Sequence, residues 1–141
     1  MPTWLIYALI ATFFAGLTSV LAKFGISKIS SDLGLTIRTA VVFILVTVNL
    51  FTWEGGAKGV SELTPKTFLF LILSGFTTSL SWIFYYRAMK LGTVSYVAAI
   101  DKGSIIITLL LSFLLLKEPL TPKLLAGAAL ILTGMVVLIW K

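Results

Sequence analysis

The amino-acid sequence predicts an all-α integral membrane protein, a bundle of five transmembrane helices, and three observations carry that prediction. Of the 141 residues, 59% are hydrophobic and only 11% are charged, against roughly 25% charged in a soluble globular chain. The mean hydropathy is +1.10. Five apolar runs, at about residues 3–22, 36–53, 67–86, 93–116 and 123–140, are each long enough at ~1.5 Å per residue to cross a hydrocarbon core.

The first run follows Met1-Pro2-Thr3 with no basic segment ahead of it, and it ends at Lys23 without a small-residue cleavage site. It is expected to be a retained helix rather than a signal peptide. Ser27 to Asp32 separates it from the second run, and Glu54-Gly55-Gly56 opens the break before the third. Leu91-Gly92 leads into the fourth run, which closes at Lys117-Glu118-Pro119. Thr121 ahead of Pro122 reads as an N-cap with proline in the first helical position, and it starts the fifth and shortest helix. No linker or low-complexity stretch divides residues 1–141, so a single domain is expected.

Composition also narrows the chemistry. There is no cysteine and no histidine, which removes disulfides and the commonest ligands of zinc, haem and iron–sulfur clusters. No metal and no cofactor are expected. The net charge of +6 comes mainly from basic residues placed between apolar runs, a pattern that suits anionic lipid and the positive-inside bias rather than nucleic acid. Lys23, Lys28, Arg38, Arg87, Lys90 and Lys141 fall on one side, and Lys58, Lys66, Lys117 and Lys123 on the other. That bias favours an outside N-terminus and an inside C-terminus, and it is small enough to permit insertion both ways. Trp4 and Trp53 mark one interface, Trp140 and Tyr96 the other.

Within the spans, polar residues gather on single helical faces. The first helix aligns Thr12, Gly16, Ser19 and Lys23, and the second aligns Arg38 with Asn49. The third lines up Ser74, Thr78, Ser81 and Tyr85 with Trp82 beside them, and the fourth carries Asp101, Ser104, Thr108 and Ser112. Small hydroxyl residues also serve ordinary helix packing, whereas charges ask for more. Asp101 lies about 10 Å along its helix at the α-helical rise, where a carboxylate must be paired or hold its proton. Lys102 is adjacent, but helix neighbours diverge by ~100°, so Arg38 is the preferred partner. The pair either clamps helices two and four or offers a docking charge for a substrate or proton. Trp82, Tyr85 and Tyr86 suit an aromatic wall or an interfacial belt, and Arg87 and Lys90 are expected to meet headgroups or fix orientation. Gly127 and Gly134 share a face of the fifth helix, marking it as a packing or dimerising element.

The run from Tyr85 to Gly92, then Val97-Ala98-Ala99-Ile100-Asp101-Lys102, then Leu116 to Thr121, resembles the EamA domain of the drug/metabolite transporter superfamily, especially its single-domain, five-helix members. Residues 127–136 are also similar to the last helix of the related small multidrug resistance proteins. The resemblance implies a carrier that works by alternating access without ATP hydrolysis. This chain would be one half of an inverted-repeat transporter, acting as a homodimer, antiparallel if one gene serves both halves, or as a heterodimer with a related half-unit. The small multidrug resistance proteins use a glutamate in helix one, and here that helix has no acid.

The expected function is therefore secondary transport of a small metabolite or drug-like solute in a prokaryotic inner membrane. Asp101, Lys102, Arg38, Ser104, Thr108, Trp82, Tyr85, Ser81 and Asn49 are candidates for the solute or ion path. The competing expectation is a non-transporting subunit that stabilises or regulates a larger membrane complex. An enzyme is not expected, because no nucleophile, base and orienting group come together in the sequence.

Overall fold

The computed structural model describes residues 2–53 and 63–140. The Glu54-Gly55-Gly56 break, Lys58, the Trp53 side chain and Lys141 lie outside the described residues. The described residues are all-α, 86% of them helical, with no strand among them. Its helices are α1 (Thr3–Gly25), α2 (Ser31–Trp53), α3 (Pro65–Leu91), α4 (Val94–Asp101), α5 (Ser104–Leu111) and α6 (Pro122–Ile139), with a π-helical turn at Ser112–Leu116.

These form five stretches long and apolar enough to cross a membrane, the fourth running from Val94 to Leu116 and the last being the shortest at 18 residues. The first three helices outrun their apolar segments, because Ser31, Asp32, Arg87 and Lys90 keep helical backbone where hydrophobicity has already ended. Only Ile26, Leu35, Tyr86, Met89 and Ala128 are buried apolar residues among those described. Large side chains such as Phe13, Phe43, Phe70 and Phe84 lie exposed, which is stable where hydrocarbon rather than water is the solvent.

Contacts divide the chain into two units, Met1–Lys90 and Leu91–Lys141. In the first, Ile26 (1% exposed) and Met89 (0%) are enclosed with Tyr86 and Leu35, so the end of α1, the start of α2 and the end of α3 form its core. Ser30 caps α2 by accepting from the Leu33 N–H at 3.2 Å. Gly34 allows the close approach there, since a Cβ at this position would sit 2.5 Å from Ile26 Cγ2.

In the second unit, the fourth span tightens at its centre. The N–H groups of Lys102, Gly103, Ile105 and Ile106 donate to Ala99, Ile100, Lys102 and Gly103 at 3.2, 2.9, 3.2 and 3.1 Å, the three-residue spacing of a 3₁₀ turn. Gly103 is confined by α6, for a Cβ would lie 2.8 Å from Met135 Sδ and 3.0 Å from the Ile100 carbonyl oxygen. The span ends where Lys117 adopts a left-handed conformation (φ 56°) and the Lys117 and Glu118 N–H groups both donate to the Ser112 carbonyl. Thr121 then caps α6, its hydroxyl accepting from the Leu124 N–H at 3.2 Å with Pro122 in the first turn.

Candidate functional site

Four cations of the first unit meet two different fates. Lys90 Nζ donates to the carbonyls of Ile26, Ser27 and Ile29 at 2.6, 2.9 and 3.0 Å, and Lys23 Nζ donates to the Met89 carbonyl. Arg87 forks onto Asp32, Nε to Oδ1 at 3.2 Å and Nη2 to Oδ2 at 2.9 Å. Lys90 and Arg87, which sequence alone directs to lipid headgroups, thus bind the protein itself.

Arg38 is the exception. Its guanidinium carbon lies 4.3 Å from the centre of the Trp82 ring and 6.0 Å from that of Tyr86, a cation–π arrangement on two residues one helical turn apart. Its Nη1 is buried with no hydrogen-bond partner among the described residues. Beside it, Tyr85 Oη is 2.9 Å from Ser19 Oγ. Trp82 and Tyr85 are therefore half-buried and engaged within the unit. The polar faces read for helices one and three do meet, at Ser19–Tyr85 and Lys23–Met89. Thr12, Asn49 and Ser81 are exposed, and the Thr12 hydroxyl turns back to its own helix at the Ala8 carbonyl, 2.8 Å away.

In the second unit Asp101 Oδ2 lies 3.5 Å from Lys102 Nζ. Helical spacing argues against neighbours as partners, yet the long lysine stem folds back across the angle between them. The expected partner, Arg38, belongs to the first unit, and each of the two residues makes its described contact within its own unit. Thr108 donates to the Ser104 carbonyl at 3.1 Å, the local bonding of an ordinary membrane helix, and Ser104 is exposed. Helix α6 packs within the unit through Ala128, Leu132 and Met135, spaced four and three residues apart. A Cβ at Gly127 or Gly134 would meet nothing within 4 Å, so the glycine face is not the one α6 packs with.

Sequence reasoning misses the Lys90 carbonyl cage and the Arg38–Trp82 stack. A signal for the second is present: Arg38 lies seven residues inside the start of α2 and Trp82 nine inside the end of α3, comparable depths from helix ends that share one core.

Five helices long and apolar enough to cross a membrane define a multi-pass integral membrane protein. The chain belongs to the EamA-like transporter family, whose sequence profile matches residues 2–140. It is 40% identical over 136 residues, covering 96% of both chains, to a Sinorhizobium sp. protein described as an uncharacterized transporter in the cobO 3′ region. No solved structure matches the chain. The role this membership supports is transport.

Proposed function

We propose that the protein is one half of a secondary carrier, pairing with a second copy or a related half-unit to move a small metabolite or drug-like solute across a prokaryotic inner membrane. The observation that carries this reading is the Asp101–Lys102 pair. Its side chains are 40% and 63% exposed, about 10 Å along a membrane span at the helical rise, beside a tightened turn. Hydrocarbon would not tolerate two exposed charges there, so a second half-unit or a water-lined path must cover them. Interrupted helices that carry charge near mid-membrane are how carriers build substrate and ion sites. The open Gly127–Gly134 face of α6 offers close approach to a second copy, and the small Lys/Arg bias favours an outside N-terminus and an inside C-terminus.

In this reading Asp101 is the charge whose state matters for transport, with Lys102 as its counter-ion in the empty carrier. Asp101→Asn is expected to leave a folded protein with unchanged melting temperature that has lost uptake in proteoliposomes, or has lost its pH dependence. A variant that unfolds but transports normally once stabilised would show that Asp101 only supports the helix.

A further inference from the structure

The Arg38 guanidinium presents an unanswered chemical demand. An arginine stays charged in any protein environment, and a charge inside a span requires a counter-charge or water. The faces of the Trp82 and Tyr86 rings answer part of that demand, but a stack contacts the flat side of the guanidinium and leaves its in-plane N–H donors unused. Nη1 is buried and has no acceptor among the described residues. The acids described inside the spans are already engaged, Asp32 by Arg87 at 2.9 Å and Asp101 by Lys102 at 3.5 Å. Asp32 is the described acid of the unit that holds Arg38, and it is already taken.

We propose that Arg38, held flat on Trp82, is a docking site for an oxyanion, the carboxylate of a small organic anion carried as solute. This rests on the carrier reading above and narrows it to a substrate class. A planar fork of N–H donors matches the two oxygens of a carboxylate, which a lysine cannot do. The ring fixes the plane of that fork before the ligand arrives, which reduces the ordering cost of binding. A cationic solute would meet repulsion at the same place. Lipid phosphate shares the chemistry, but the stack on Trp82 holds the Arg38 head in place with Nη1 enclosed instead of letting it reach out to a headgroup. Because Nη1 is enclosed, the carboxylate enters only when the helices part, as a carrier cycle requires.

The test follows the melting temperature of the purified full-length protein in detergent. Acetate, benzoate, succinate and inorganic phosphate serve as free oxyanion probes, tetraethylammonium as a cation probe and phosphatidylglycerol as a lipid probe. At least one free carboxylate is expected to stabilise the protein saturably, tetraethylammonium is not, and Arg38→Lys is expected to weaken that binding about tenfold without lowering the melting temperature of the empty protein. If Arg38→Lys does not fold, Trp82→Leu removes the platform and is expected to weaken binding to a similar degree. Stabilisation by phosphatidylglycerol alone, no effect of any free oxyanion, or equal binding by the variants overturns the proposal. Uptake in proteoliposomes separates it from the reading beneath it. Transport of tetraethylammonium without oxyanion binding removes the site and keeps the carrier, whereas oxyanion binding without uptake of any probe keeps the site and removes the carrier.

Discussion

Lys90 and Arg38 sit in the same three-helix unit and carry the same charge, yet one has three carbonyl acceptors and the other has two aromatic rings and an unused N–H. Around Lys90 the chain is closely packed, with Ile26 and Met89 fully enclosed and a glycine where α1 turns into α2. Around Arg38 the polar chemistry is incomplete. Charges saturated by the protein hold helices together, and a charge left short of acceptors is available to something that comes and goes.

The largest effect that would break this contrast comes from Lys90→Met, which keeps the apolar stem but removes the donors to three carbonyls. Hydrogen bonds to charged groups contribute roughly 1.5–3 kcal/mol each and are not additive, so a net loss of about 2–3 kcal/mol is expected in detergent melting. A melting temperature equal to wild type would mean that water serves those carbonyls just as well. Gly34→Ala should cost less, about 1–2 kcal/mol, because the new methyl group meets the stiff, buried Ile26 side chain at 2.5 Å. Chemical denaturation of the variant checks it, and an unchanged midpoint would show that α1 and α2 can shift apart freely. The smallest effect belongs to Asp32→Asn, since its pair with Arg87 is about half exposed on both sides and exposed ion pairs contribute little. A large fall in melting temperature for this variant would move the Asp32–Arg87 pair from the periphery into the clamp around Lys90.

The fold was legible because lipid imposes the simplest of sequence codes. Runs of about twenty apolar residues have to be helices, and the Thr121-Pro122 cap and the Lys117-Glu118-Pro119 break are local signals that the structure reproduces. Helix ends were less legible, because the backbone goes on bonding to itself past the last apolar residue, as it does from Ser31 and up to Leu91. The tightened turn at Lys102–Gly103 was hidden, since the side chain that crowds Gly103, Met135, comes from a different helix. For the same reason the sequence singled out Arg38 without finding its ring partner, Trp82: which helix lies beside which is tertiary information. Gly127 and Gly134 mark a close-approach face by spacing alone, and spacing does not say which neighbour uses it.

The reach of Lys90 across the chain also bears on how the protein is made. The carbonyls of Ile26, Ser27 and Ile29 emerge with the first hairpin, but the ammonium that satisfies them is synthesised some sixty residues later. Until the end of α3 arrives, the turn between α1 and α2 has only water or headgroups to bond to, and the hairpin must wait at the membrane surface with that turn wet. Lys90 then answers all three carbonyls at once, so the first hairpin completes its polar bonding only with the third helix.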